Sequence, residues 1–321
     1  MHKSLRALLS GILDYAGLYP PASLELDAAI RAYAKLQRGP DAWMLARFLC
    51  GGAKLAALRD YRDSLFADGP ALPVVVVGRS GATQAEFAAN TQQDADDGKA
   101  FVSAFGARGS IEGYEVRLPA DATRAVTAPA VRATIDAAVD AWQKAVPGPL
   151  PMFFESGLAG DWRTNICTAA EALTEAREAG LPAGLKLRTG GLEPAAFPTP
   201  EQVAVTILAC RDAGVPLKFT AGLHHPLRRF DPGVRCEMHG FLNLFAGAVL
   251  ANSLHLELHD LQGIIEEPDI RHFHFSDEHL GWAEADATVS EIVHFRRQRV
   301  IGFGSCSFDE PRDDLRGLGL W

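Results

Sequence analysis

Eight short apolar runs, separated by stretches whose apolar residues recur three and four apart, set the strongest limit on how this chain can fold. The runs are LSGILDYAG (9–17), AWMLARFLC (42–50), LPVVVVG (72–78), GYEVRLP (113–119), PMFFES (151–156), GLKLRTGG (184–191), PLKFTAG (216–222) and RVIGFGSCSF (299–308). Seven helical patterns lie between them, among them LELDAAIRAYAKLQ, KLAALRDYRDSLF and PEQVAVTILACRDAG, with the spacing of an amphipathic helix. Gly followed by Pro or by an apolar residue closes two of them, in AREAG-LP and CRDAG-VP, which fixes where the next strands begin. Strict alternation of strand and helix demands a parallel sheet, because a helical crossover returns the chain beside the strand it left. Eight such units in 321 residues, 48% of them hydrophobic, favour an α/β fold closed into a (β/α)8 TIM barrel over an open doubly wound sheet. No G-x-G-x-x-G follows the first strand, so a dinucleotide-binding sheet lacks its fingerprint.

The expected organisation is a single barrel domain over 1–321. Residues 257–298 exceed an ordinary connection and read as an insertion before strand eight. Within it HFHFSDEHLGW predicts a hairpin and TVSEIVHFRRQ a helix, while the tail DEPRDDLRGLGLW supplies an eighth helix or a cap.

Two strands carry a lysine where a buried strand would ordinarily carry Val or Ile. Side chains alternate faces along a strand, so Lys186 shares a face with Arg188, and Lys218 with Thr220. One helix joins these two strands, which makes them neighbours in a parallel sheet. Burying two cations in this way is costly if stability alone is served.

The net charge of -9, from 31 basic and 40 acidic residues, argues against a general nucleic-acid partner and for a small-molecule one. Five scattered cysteines without C-x-x-C spacing fit reduced thiols in a cytoplasm. Asp14 interrupts the apolar N-terminal segment, so no signal peptide is expected. No apolar run is long enough to span a bilayer, so no membrane partner is expected either. No cofactor is called for, and assembly into a homo-oligomer stays open.

Active sites of such barrels lie at the C-terminal ends of the strands. Asp14 and Tyr15 end strand one, Arg47 is read as late in strand two, and Glu115 and Arg117 lie on strand four. Glu155 ends strand five, Lys186 and Arg188 lie on strand six, Lys218 and Thr220 on strand seven, and Ser305 and Ser307 close strand eight. The apparent excess of cations points to an anionic ligand or to a lysine held neutral. Like charges nearby disfavour an ammonium, and a neutral amine attacks carbonyls. Lys186 beside Lys218 is therefore the candidate Schiff-base lysine, with Glu115 and Glu155 as the catalytic carboxylates and Glu115 the proton shuttle.

The loop after strand seven adds His224 and His225, one of which is expected to face the site as an acid/base or anion ligand. Ser305 and Ser307 are read as anion binders, and the Pro-containing first loop either holds a tyrosine, Tyr15 or Tyr19, over the barrel mouth or is packed for its own sake. A metal shared by one of these histidines with Glu155 and Asp14 is the alternative, although no ligand spacing demands it. The pairs His255/His259 and His272/His274 fit ordinary polar packing better than ligation, and Cys306 a small packed thiol better than a nucleophile.

Taken together, GLKLRTGG, a helix, PLKFTAG, the acidic residue of strand four and the G-S-x-S end of strand eight resemble the class I aldolases of the deoxyribose-phosphate aldolase type. The two lysine strands are similar to that family's K-T-S-T-G and G-V-K-x-x-G-G strands. The resemblance implies a (β/α)8 barrel, a Schiff base on Lys186, assistance from Lys218, and Glu115 where the family has a proton-shuttling aspartate. Arg188 stands where the family has a small hydroxyl residue, and AGLHHP replaces a phosphate-approaching glycine pair. The expected activity is that of an aldolase or lyase acting on a small, oxygenated, anionic carbonyl compound. The alternatives are a metal-dependent lyase, isomerase or hydrolase, and a barrel that binds an anionic metabolite without turnover.

Overall fold

A computed structural model describes residues 1–124 and 127–321. All eight expected strands are present, and the first seven are β1 (Leu13–Tyr15), β2 (Leu45–Gly51), β3 (Leu72–Val77), β4 (Gly109–Arg117), β5 (Met152–Glu155), β6 (Ala183–Arg188) and β7 (Leu217–Thr220). Five short strands follow, β8 (Arg229–Asp231), β9 (Cys236–Met238), β10 (Phe273–Phe275), β11 (His279–Trp282) and β12 (Ala285–Thr288), and the last barrel strand is β13 (Val300–Ser305). The barrel is closed in the order β1-β13-β7-β6-β5-β4-β3-β2. The fold is thus the parallel (β/α)8 barrel that the alternation demanded.

The chain packs as two compact units, one of Leu24–Ala42 and Ala46–Lys186, the other of Met1–Ser23, Trp43–Leu45 and Leu187–Trp321. In the first, the helices Gln84–Phe105, Ala128–Gln143 and Trp162–Glu178 pack side by side, the first of them against β4. Trp142 is fully buried with its ring 5.1 Å from that of Tyr114, and a Cβ on Gly98 would lie 2.6 Å from the indole. Thr83, Thr127 and Asp161 cap these three helices with their side-chain oxygens, which satisfies amide donors that would otherwise lack partners.

In the second unit the helix Phe241–Leu254 is apolar nearly all round and buried along most of its length, as expected for a helix inside a core. Phe241 and Phe245 pack on Phe303 of β13, with ring centroids 5.6 and 5.8 Å apart, and Phe245 meets Phe219 of β7 at 5.4 Å. An N-terminal helix, Lys3–Leu9, was not read from the sequence. Buried Arg296 donates to the carbonyls of Leu8 (2.7 Å) and Ser10 (3.4 Å) at the end of that helix, where the helix dipole favours a cation.

Elsewhere the local structure departs from the periodic reading. KLAALRDYRDSLF forms 3-10 turns over Gly52–Lys54 and Ala56–Tyr61 and a single α-turn at Arg62–Leu65. Its buried Leu55 and Leu58 are three apart, which suits the three-residue repeat of a 3-10 helix. Residues 257–298 hold the helix Leu258–Glu266, the antiparallel sheet β10-β11-β12 and the helix Val289–Gln298, so the expected hairpin gains a third strand. Among the described residues no helix is long and apolar enough to cross a membrane.

Candidate active site

Tyr114 of β4 points outward, its hydroxyl 3.3 Å from that of Thr91 and donating to Asp94 at 3.2 Å. The next residue must therefore point into the barrel, and Glu115 does so with 1% of its surface exposed. Parallel pairing sets Arg117 beside Glu155 and Glu155 beside Lys186. The Lys186 ammonium lies 3.2 Å from Glu115 Oε2 and 3.3 Å from Glu155 Oε2. Lysine and Glu155 are 5% and 6% exposed. Desolvating such a group offsets most of its Coulomb attraction, so the trio is poorly explained as a device for stability. Chemically, it places an amine between two groups able to take or return its proton. The expectation that Lys186 sits chiefly among cations needs correction, since carboxylates are its contacts at hydrogen-bonding range.

The second lysine is built differently. Lys218 of β7 and Asp14 of β1, 2% and 1% exposed, form a short buried ion pair. Between their strands runs β13, whose Gly304 aligns with both Asp14 and Thr220. Phe303 faces the helix layer, so Gly304 faces the interior and adds no side chain between lysine and aspartate. Tyr15, 4% exposed, follows Asp14. Burial, with the negative fields of Cys306 and Asp309 added, raises its phenol above the ordinary range, which keeps it a neutral hydrogen-bonding group.

Among the arginine candidates, one stands elsewhere than expected. Arg47 lies in the first half of β2, one residue before the Phe48–Val74–Ile111 level, and pairs with Glu112 at 3.2 Å, away from the C-terminal strand ends. Arg117 and Arg188 are the last residues of β4 and β6 and are exposed, at the C-terminal strand ends where such sites lie. Thr220 accepts through its backbone carbonyl from the N–H (2.8 Å) and hydroxyl (3.2 Å) of Thr189.

The Ser305 hydroxyl donates to the Ser307 carbonyl at 2.8 Å, and Ser307 Oγ accepts from the N–H of Glu310. Both serines thus organise the turn into the helix Asp309–Gly317. His224 Nδ1 lies 2.9 Å from Glu310 and His225 Nδ1 2.6 Å from Asp314. Both histidines face carboxylates one helical turn apart on the C-terminal helix, where a single histidine facing an anionic substrate was expected. Hydrogen bonding from His224 holds the Glu310 carboxyl below its usual range. Burial raises the Cys306 thiol, as a packed cysteine requires. Among the described residues no group of three His, Cys, Asp or Glu side chains is placed to hold a metal ion.

Two clusters escaped the sequence reading. Arg79, directly after β3, donates to Asp94 from its backbone (2.8 Å) and guanidinium (2.5 Å) and to Asp97 (2.9 Å). Burial nevertheless pushes the Asp94 carboxyl up. Only the position of R-S after VVVVG hinted at it. The other cluster is His239, 1% exposed, whose Nε2 lies 2.7 Å from the Pro198 carbonyl. Nε2 must carry the proton, leaving Nδ1 to accept from Arg228 at 3.4 Å.

Burial lowers His239 to about 4 from 6.5, so protons bind the unfolded chain first between those values. Its contribution is fully present above pH 6.5, declines as pH falls, and is lost by pH 4. The loss expected over that window is about 3 kcal/mol. Urea unfolding at pH 4 to 7 checks this, since a His239→Gln variant should show a pH slope flatter by that amount.

No protein-family model and no curated protein matches the chain. Among solved structures, its fold is similar to that of a putative deoxyribose-phosphate aldolase from Toxoplasma gondii ME49. That likeness has a TM-score of 0.54 and 15% identity and covers 98% of this chain and 96% of that one. The endo-1,4-beta-xylanase XylE of Penicillium canescens overlaps 78% of this chain and 81% of its own, with a TM-score of 0.41 and 13% identity. At such identities the likeness to the first is one of fold.

Proposed function

We propose that this protein is a carbon–carbon lyase of the aldolase type, in which Lys186 forms a Schiff base with a small, oxygenated, anionic carbonyl substrate. The observation that carries the reading is a lysine on a barrel strand, 5% exposed, with Glu115 and Glu155 at 3.2 and 3.3 Å. The fold likeness to a protein described as an aldolase agrees with it.

The chemistry assigned to the trio balances without a cofactor. Lys186 passes a proton to one carboxylate, and the neutral nitrogen attacks the carbonyl carbon. The carbonyl oxygen takes up a proton to give a carbinolamine and then leaves as water, giving an iminium. Cleavage sends the electrons of the carbon–carbon bond to the iminium nitrogen, while a carboxylate removes the proton from the departing hydroxyl. Protonation of the resulting enamine and hydrolysis release the second product and restore the lysine. Two carboxylates let one give a proton while the other accepts one.

Borohydride reduction in the presence of small aldehydes, ketones and 2-oxo acids, followed by peptide mass mapping, tests this. The expected result is a reduced adduct on the peptide containing Lys186, absent in a folded Lys186→Met variant. A panel that leaves Lys186 unmodified, or labels surface lysines equally, overturns the reading.

A further inference from the structure

A groove of about 330 Å³ opens between the loop after β7 and the C-terminal helix. That volume is at the small end of the range for small-molecule sites, about 300–1,000 Å³. Its wall carries Arg228 and Arg229 together with Leu227, Pro268 and Leu318, and the His225–Asp314 pair also lines it.

The charges along this wall are unevenly compensated. Asp314 is engaged by His225, and Asp313 accepts from Arg312 at 2.8 Å and from Arg316 at 3.4 Å. The two arginines have far less. Arg228 reaches Glu237 only at 4.0 Å and otherwise spends a donor on neutral His239. Arg229 is exposed and feels Asp231 and Glu310 only as fields, its charge helping to lower both carboxyls. A guanidinium offers five donors in a planar fork matched to an oxyanion.

We propose that this groove binds a small organic anion, its carboxylate held by Arg229 and Arg228 and its apolar body laid against Leu227, Pro268 and Leu318. His239 has a defined part in this. Neutral and buried, it accepts from Arg228 and holds that side chain along the wall, so His239 is a positioning residue. The site goes beyond the lysine chemistry proposed for Lys186 and is tested without it.

The test is titration calorimetry of the full chain with benzoate, acetate and inorganic phosphate. Benzoate should bind at millimolar concentration or below. Arg229→Gln should weaken it about tenfold, as expected for loss of one charge-assisted pair. Leu318→Ser should weaken benzoate while leaving acetate unchanged. Lys54→Gln, an exposed cation that does not line the groove, should change nothing. Arg229 is a surface residue, so its variant should keep the parent melting temperature. Absence of heat up to about 20 mM benzoate, or binding unaffected by Arg229→Gln, overturns the site. Phosphate binding as tightly as benzoate overturns its assignment to an organic anion. Benzoate binding with an inert Lys186 would sink only the lyase reading, and a trapped Lys186 with no benzoate binding only this one.

Discussion

Replacing Glu155 by Gln should lower turnover about 10²- to 10⁴-fold, the usual contribution of a positioned acid or base, while Lys186 still traps a carbonyl compound under borohydride. The amide keeps the size of the carboxyl and can still accept a hydrogen bond from Lys186 Nζ, 3.3 Å from the carboxylate oxygen, but it can neither take up nor return a proton. Glu115→Gln should act in the same range, because Glu115 is at 3.2 Å from the same nitrogen. The double variant should fall little below the worse single one, as groups that act as a unit are strongly non-additive. The measurement is kcat with the carbonyl compound that labels Lys186, alongside a melting curve for each variant. Turnover within about threefold of the parent for both singles would remove the carboxylates from the chemistry.

Substituting Lys218 by Met should destabilise the fold by about 3–5 kcal/mol, because it strips a buried carboxylate of its ammonium while leaving the carboxylate in place. Asp14 is 1% exposed and has few routes to water, and its remaining interactions set the lower end of that range. Asp14→Asn combined with Lys218→Met should regain much of the loss, since a neutral amide beside a thioether has no bare charge to solvate. Denaturant unfolding of the four proteins gives the coupling free energy directly. Equal costs for the single and double lysine variants would mean that the short Lys218–Asp14 contact contributes nothing specific.

The strands were legible because parallel barrel strands are apolar runs bounded by glycine stops, and helix ends such as Gly180 and Gly214 adopt the positive φ those stops predict. Alternation also located the residues that point inward: Asp14, Glu115, Glu155, Lys186 and Lys218 are all buried. What alternation cannot give is height along a strand. Arg47 has the right residue type, but register sets it near the start of β2 beside Glu112. Nor does it reveal partners remote in the chain. His224, His225 and Ser307 looked like open site residues until the helix Asp309–Gly317 brought Glu310 and Asp314 to them. The short strands β8 (RFD) and β9 (CEM), with no apolar run around them, have too little pattern to be read.

The loops that follow β6 and β7 touch through bare backbone: a Cβ on Gly190 would lie 2.6 Å from the Gly222 Cα, and one on Gly222 would lie 2.7 Å from the Gly190 Cα. Thr189 ties the same two segments through the Thr220 carbonyl. For laboratory evolution of this protein, these glycines form a single locus. Neither can acquire a side chain unless the facing loop is rebuilt in the same step, so libraries that diversify one loop at a time will be blind to every solution that requires both.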